Sequence, residues 1–175
     1  VIVTGTNGKT TTSRMIEQAV ADSGISYFAN KSGANLLSGI TAEFAMHSSL
    51  TGKCSYSMAL IESDEAAFKA VSTFVDAKVI VVTNVFRDQL DRYGEVTHTL
   101  DNIRIGISHS PNALLCLNAD DSLSSSLAEE VPNRVLYYGV DVPIYKDRVQ
   151  ELSDAPYCIR CKHAYVYDFV TYGHL

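Results

Sequence analysis

The residues best suited to chemistry form a glycine-containing loop near the start of the chain, called the phosphate loop below: Gly5, Thr6, Asn7, Gly8, Lys9, Thr10 and Thr11. Glycines let the main chain turn tightly and point successive N–H groups at an anion, and a helix start adds its positive dipole end. Lys9 is placed to reach the β- and γ-phosphate oxygens of a nucleotide, and the Thr10 hydroxyl to bind Mg²⁺. The loop therefore predicts a site for nucleotide phosphates; the alternative is a plain glycine turn before an ordinary helix.

One departure from the general phosphate-binding pattern is informative. The pattern G-x-x-x-x-G-K-S/T has glycine where this chain has Val3, so the loop takes the shorter form G-x-x-G-K-T. In this form it resembles the phosphate loop of the Mur ligase family, whose members couple ATP cleavage to amide-bond formation in peptidoglycan precursors. The resemblance implies ATP as the nucleotide, Mg²⁺ as its metal ion, nucleotide contacts along the whole loop and a catalytic role for Lys9.

Three further segments follow in the order of the family, so that the resemblance covers about residues 1–140. Glu62 resembles the strand-end glutamate that, with Thr10, helps to hold Mg²⁺, and Asp88 begins a segment that lies beside the γ-phosphate in the family. The resemblance implies catalytic roles for both carboxylates, and Asp88 is our candidate for orienting a metal-bound water or, in a ligase that uses ammonia, the incoming ammonia. From the residues alone, Glu62 can also be an exposed strand-end carboxylate, and Asp88 can cap a helix.

Two asparagine-containing loops are less specific. The loop at 30–35 resembles a glycine–asparagine loop near the phosphates in the family, so Asn30 and Asn35 are candidate phosphate or substrate contacts, with a plain turn as the alternative. The third family segment runs from Asn118 to Asp121. We expect it to be a strand-to-helix turn with an aspartate cap rather than a direct ligand.

The elements that must position these residues are predicted to be of the α/β class. Short apolar runs alternate with segments of helical period, which is typical of βαβ units and of a mostly parallel sheet with flanking helices, as in P-loop NTPases. The predicted strands are 1–4, 26–29, 55–61, 78–83, 113–117 and 134–138. The predicted helices are 11–23, 65–75, 95–107 and 122–129, the first with Met15, Ile16, Ala19 and Val20 on one face and the third with a stripe of Leu100, Ile103 and Ile107.

Composition narrows the class of protein further. Apolar residues make up 46% of the 175, enough for a sizeable core, and the net charge of −6 excludes steering to nucleic acid by bulk charge. We expect no membrane span and no signal peptide. Cys54 and Cys116 stand alone in apolar runs, which fits a reducing cytoplasm better than a disulfide framework. Because the chain opens with Val1 inside a strand-like run, we expect it to be part of a longer protein.

The sequence changes character after Gly139, which predicts two units: a nucleotide-binding domain at 1–140 and a small module at 141–175. The module contains Cys158 and Cys161, spaced as one knuckle of a four-thiolate zinc site. We expect a structural Zn²⁺ held in part by these thiolates, in a truncated module that is similar to a zinc ribbon. Cysteines that bind no metal, and a redox pair, are the alternatives.

Two departures from the amino-acid-adding members of the family bear on function. Their aspartate–histidine pair is Asp88–Gln89 here, and the position of their carbamylated lysine is Arg104 by counting. Arginine stays protonated and is not expected to carbamylate. Together with the cysteine pair, these features resemble a branch of the family that amidates lipid II at the D-glutamate α-carboxyl. The resemblance implies an acyl phosphate, and ammonia supplied by a glutamine amidotransferase subunit.

Two other functions fit the same residues. An amino-acid-adding ligase, or a relative of the folylpolyglutamate synthetases, would keep the ATP chemistry. A nucleotide switch without catalysis, whose γ-phosphate contacts order a partner-binding loop, would use the same phosphate loop. An assay of glutamine-dependent amidation in the presence of a glutaminase subunit distinguishes the amidating ligase from both of these functions.

Overall fold

The computed structural model describes residues 1–30, 33–86, 95–140, 157–158 and 160–166. Its centre is a six-stranded sheet in which every pair of neighbouring strands is parallel, in the order β2-β3-β1-β4-β5-β6. The predicted α/β class and all six predicted strands are confirmed. The strands are β1 Ile2–Thr4, β2 Tyr27–Ala29, β3 Met58–Glu62, β4 Val79–Val82, β5 Leu114–Asn118 and β6 Val135–Tyr138.

The helices connect successive strands. They are α1 Lys9–Asp22, α2 Leu37–Met46, α3 Glu65–Val71, α4 Glu95–Ser108 and α5 Ser122–Ser126, which a 3₁₀ helix over Leu127–Glu130 extends. The sequence did not predict α2, because Gly39 and Thr41 interrupt its apolar pattern and glycine disfavours a helix interior. Gly39 explains one interruption: a Cβ there would lie 2.8 Å from the carbonyl oxygen of Ala34, so only glycine lets this helix approach the preceding loop.

The direction of each crossover decides which face of the sheet each helix covers. The connection from β1 to β2 runs one way along the sheet, and the four later connections run the other way. Because crossovers between parallel strands are right-handed, α1 lies on one face and α2 to α5 lie on the other. The direction reverses at β1, and in such sheets ligands bind at the carboxyl ends of the strands beside this reversal.

Most of the core lies on the face that α2 to α5 cover. The predicted stripe of α4 is fully confirmed there, and Phe68 of α3 is completely buried against it. The predicted apolar face of α1 is only partly correct, since Met15 is 70% exposed and Ala19 is also exposed. Of the four, Ile16 packs against the small cluster of buried apolar residues Val3, Leu60 and Val81, which lies on the other face of the sheet.

Two further findings concern the cysteines and the helices. Each of the four cysteines is free of a disulfide. Among the described residues, no helix is both long enough and apolar enough to cross a membrane. The predicted boundary at 140/141 stays a prediction, because residues 141–156 lie outside the part that the structure describes.

Candidate nucleotide site

The phosphate loop joins β1 to α1, and its two glycines serve different purposes. Gly5 has φ +121°, and a Cβ on it would lie 2.4 Å from Oγ1 of Thr83 and 2.7 Å from the carbonyl oxygen of Asn84. Glycine is therefore required there for close approach to the end of β4. Gly8 caps α1 with φ +79°, and nothing lies within 4 Å of an added Cβ. The space beside Gly8 is open to a ligand.

The first half of the loop is tied to the residues that follow β4. The N–H of Thr6 donates to the carbonyl of Asn84 at 2.9 Å, and the N–H of Asn7 donates to Oδ1 of Asn84 at 2.8 Å. Nδ2 of Asn84 donates back to the carbonyl of Asn7 at 3.0 Å. Thr6 and Asn7 were predicted to bind nucleotide, but their N–H groups are already engaged within the protein. The four N–H groups from Gly8 to Thr11 at the start of α1 have no acceptor inside the helix and remain for an anion.

Lys9 folds back over the loop that carries it. Its Nζ donates to the carbonyl oxygens of Gly5 at 2.6 Å and of Thr6 at 3.0 Å. The same ammonium lies 3.6 Å from Oε2 of Glu65, and both side chains are nearly buried. Glu65 is the first residue of α3 and was read from the sequence only as the start of a helix. The structure places it beside the catalytic lysine candidate.

The two predicted Mg²⁺ ligands are in direct contact. Oγ1 of Thr10 donates a hydrogen bond to Oε1 of Glu62 at 2.9 Å, and Glu62, the last residue of β3, is 6% exposed. In an octahedral site with bonds of about 2.0–2.1 Å, adjacent ligand oxygens are about 2.9 Å apart. Both groups are hard oxygen donors at the required separation, so the residues present fit a magnesium ion.

Asn30 binds the last residue of β3 through its side chain. Its Oδ1 accepts from the N–H of Glu62 at 2.8 Å, and its Nδ2 donates to the carbonyls of Glu62 and Ala34, both at 2.8 Å. The amide is thus fully used inside the protein. Asn35 contributes its carbonyl oxygen, which accepts from the N–H of Asp64 at 3.0 Å. A direct phosphate or substrate contact by either asparagine stays a prediction.

The segment from Asn118 to Asp121 has the structural role expected of it. Nδ2 of Asn118 donates to the carbonyl of Thr83 at 3.0 Å, which ties β5 to β4. Asp121 caps α5 by accepting from the N–H of Leu123 at 3.0 Å and also accepts from the N–H of Val85 at 2.7 Å. These contacts hold the strand ends around the phosphate loop in register.

Two further predicted features have different outcomes. Asp88 and Gln89 fall in 87–94, outside the described residues, so the catalytic role of Asp88 stays a prediction. Arg104 lies on α4, and its Nη1 donates to Oδ1 of Asp101 at 2.7 Å, one helical turn earlier. The guanidinium is therefore held by a carboxylate on its own helix.

The cysteine pair lies beside an antiparallel bridge between Tyr157 and Ala164. The N–H of Cys158 donates to the carbonyl of His163 at 2.8 Å, and Lys162 takes the left-handed conformation with φ +59°. Hydrogen bonds from the N–H groups of Cys161 and Arg160 and from the Cys161 thiol lower the pKa of the Cys158 thiol to about 7. Among the described residues, however, no three His, Cys, Asp or Glu side chains cluster as a metal site.

Comparison with known proteins agrees with this geometry. The family model of the Mur ligase middle domain matches residues 3–160. The chain belongs to the Mur ligase family. This confirms the resemblance stated from the phosphate loop and from the segments at 62, 88 and 118, and it extends the matched region into the cysteine-containing tail.

Two relatives of this Mur ligase chain carry the same printed name. The chain is 36% identical over 175 residues to "Lipid II isoglutaminyl synthase (glutamine-hydrolyzing) subunit MurT" of Staphylococcus aureus (strain COL) and 33% identical over 177 residues to that of Streptococcus pneumoniae (strain ATCC BAA-255 / R6). Both matches cover 100% of this chain, which spans 39% and 38% of the length of these relatives.

A solved Mur ligase shows the same fold. The MurF ligase of Thermotoga maritima, crystallised in complex with ADP, superposes with a TM-score of 0.59 at 21% identity. The match covers 81% of this chain and 33% of that one. The similarity confirms the architecture of the sheet and helices as that of the Mur ligases.

Proposed function

We propose that this chain is the nucleotide-binding part of an ATP-dependent ligase that amidates the α-carboxyl of D-glutamate in the stem peptide of lipid II. The ammonia would come from glutamine, hydrolysed by a glutamine amidotransferase subunit of the GatD type. The observation that carries the proposal is the similarity to two MurT subunits of lipid II isoglutaminyl synthase over the whole chain, tail included. The phosphate loop and the Thr10–Glu62 pair supply the chemistry that such a ligase needs.

The proposed reaction has two steps. In the first, a carboxylate oxygen attacks the γ-phosphorus of ATP, the bond to the β-phosphate oxygen breaks, and ADP leaves with an acyl phosphate formed. In the second, the nitrogen of ammonia attacks the acyl carbon, inorganic phosphate leaves, and the nitrogen loses a proton to give the amide. Positioning and charge neutralisation dominate catalysis of such phosphoryl transfers.

Several residues of the chain have a defined part in this scheme. The Lys9 ammonium would leave the carbonyls of Gly5 and Thr6 and neutralise charge on the transferred phosphoryl group. Thr10 and Glu62 would hold Mg²⁺, which when bound offsets negative charge on the nucleotide oxygens. Asp88 is our candidate for orienting the ammonia.

A structural zinc ion belongs to the same proposal. The Cys158 thiol accepts main-chain N–H hydrogen bonds, which favour the thiolate form that zinc requires. Cys158 and Cys161 would supply half of a four-thiolate site, and two further thiolates would complete it. The ion would stabilise the tail rather than take part in the reaction.

The decisive experiment supplies the gene product that carries this sequence with lipid II, ATP, Mg²⁺, glutamine and a glutamine amidotransferase subunit. Mass spectrometry of lipid II then reports the change from carboxylate to amide. We expect amidation that depends on ATP and glutamine, and that free ammonia supports without the partner. Incorporation of an amino acid instead would indicate an amino-acid-adding ligase, and nucleotide binding without any product would indicate a switch.

A further inference from the structure

Two asparagine side chains hold the two halves of the nucleotide site in the same way. Asn30 binds both the N–H and the carbonyl of Glu62, at 2.8 Å each. Asn84 binds both the N–H and the carbonyl of Asn7, at 2.8 and 3.0 Å. In each case one carboxamide uses its oxygen and its nitrogen on a single residue. The residues held are the predicted metal carboxylate and a member of the phosphate loop.

The strand register explains why a side chain is used. The last residue of β2, Ala29, pairs with Leu60, so the main chain of β2 stops short of Glu62. The carboxamide of Asn30 takes the place of the next peptide group and adds one more pair of hydrogen bonds, or rung, to the β2–β3 ladder. Asn84 does the same beyond the pairing of Thr4 with Val82 that ends the β1–β4 ladder. Both extra rungs lie at the carboxyl ends of the strands, where the predicted ligand binds.

We propose that Asn30 and Asn84 are positioning residues with separate duties: Asn30 fixes the carboxylate of Glu62 for the metal ion, and Asn84 fixes the phosphate loop for the nucleotide phosphates. The inference rests on the proposed function, because it assumes that nucleotide and Mg²⁺ bind here. It assigns Asn30 a role other than the phosphate or substrate contact expected from the sequence. Groups that orient a metal ligand typically contribute about 10–100-fold to metal affinity.

Asn133 provides a matched control in the same sheet. It is buried, and its Nδ2 donates to the carbonyls of Ser110 and Ala113, both at 2.9 Å. These residues precede β5 and β6, so Asn133 joins strand starts at the opposite edge from the phosphate loop. Its loss removes comparable hydrogen bonds without touching the candidate site.

The test measures ADP binding to the gene product that carries this sequence by calorimetry, with and without Mg²⁺, for the wild type and for Asn30→Ala, Asn84→Ala and Asn133→Ala. We expect Asn84→Ala to weaken metal-free ADP binding by about tenfold. Asn30→Ala should leave metal-free ADP binding unchanged and raise the Mg²⁺ concentration for the half-maximal effect by about tenfold or more. Asn133→Ala should alter neither quantity, although urea unfolding should show a loss of stability.

Each other outcome has a defined meaning. If Asn30→Ala and Asn84→Ala change binding no more than Asn133→Ala does, or if both shift the same quantity, the division of duties is wrong. Where an alanine variant does not fold, the glutamine variants Asn30→Gln and Asn84→Gln replace it, since they keep an uncharged amide but misplace it by one methylene. A wild type that binds no ADP contradicts the proposed function and the inference with it, whereas normal wild-type binding with unaffected variants overturns the inference alone.

Discussion

The ammonium of Lys9 lies 3.6 Å from the carboxylate of Glu65, so the lysine of the phosphate loop has an acidic partner on α3. Both side chains are mostly shielded from water, and Lys9 also donates to two carbonyls of the loop. Glu65 begins α3 three residues after Glu62, so two carboxylates lie beside the loop. A nucleotide phosphate must compete with Glu65 for the lysine and overcome the repulsion of its charge.

The first prediction follows from this competition. Glu65→Gln should tighten ADP binding by about fivefold at low salt, because removing one nearby negative charge is worth about 1 kcal/mol to an incoming phosphate. The gain should shrink as salt is raised. Calorimetry at two ionic strengths measures both effects. Asp76→Asn, which removes the carboxylate of an exposed pair with Lys78, is the control for net charge. Unchanged or weaker binding by Glu65→Gln alone would show that Glu65 assists the lysine instead.

The second prediction concerns Lys9 itself. Lys9→Ala should weaken binding of ATP with Mg²⁺ by about 10–100-fold, because a charge-assisted hydrogen bond to phosphate contributes about 1.5–3 kcal/mol. The measurement is a titration of nucleotide into the wild type and the variant under the same conditions. Lys78→Ala removes a lysine that is remote from the loop and should bind like the wild type. Equal affinities for Lys9→Ala and wild type would show that the loop does not bind the nucleotide phosphates.

The contact between the phosphate loop and Glu62 could be predicted from the sequence because it depends on where each strand ends, whereas the roles of Lys9, Thr10 and Glu62 stay predictions. Parallel strands bring their carboxyl ends to one edge, so a glutamate that ends one strand meets a loop that ends another. The contact of Thr10 with Glu62 confirms that expectation. All six strands could be predicted because each is a short apolar run, and most strands of a parallel sheet are buried on both faces.

Glu65 and the contacts of Asn30 and Asn84 could not be predicted in this way. A glutamate at a helix start is favoured by the helix dipole alone, so the sequence gives no sign that Glu65 pairs with Lys9. The partner of an asparagine depends on strand register, which the pattern of apolar residues does not specify to one residue. Helix α2 was missed for a tertiary reason, the close approach of Gly39 to Ala34.

The third prediction separates this chain from family members that use a carbamylated lysine. The amidation rate of the gene product should not respond to bicarbonate, because Arg104 cannot form a carbamate. The measurement compares rates in buffer depleted of CO₂ and in buffer with added bicarbonate, with an amino-acid-adding Mur ligase as the positive control. A rate that rises with bicarbonate would point to a lysine elsewhere in the protein.

The fourth prediction tests the packing that supports the site. A Cβ on Gly106 of α4 would lie 2.4 Å from Cε1 of Phe68. Phe68 belongs to α3, and its side chain is completely buried. Gly106→Ala should therefore lower the free energy of unfolding by about 1–3 kcal/mol, although alanine is the better helix former. Thr97→Ala, at an exposed position of the same helix, should be neutral or slightly stabilising. Urea unfolding of both variants measures the difference, and a stabilised Gly106→Ala would contradict the packing of α3 on α4.

The last prediction concerns the cysteine knuckle. The gene product should contain about one zinc ion per chain, since the hydrogen-bonded thiol of Cys158 favours the thiolate and four thiolates complete such a site. Cys158→Ser and Cys161→Ser should each lower the zinc content, whereas Cys54→Ser, at an exposed cysteine outside the knuckle, should not. A strong chelator should make the tail sensitive to protease while the sheet stays folded, because structural zinc contributes folding free energy locally. Elemental analysis that finds no zinc, together with rapid alkylation of Cys158, would show that the cysteines bind no metal.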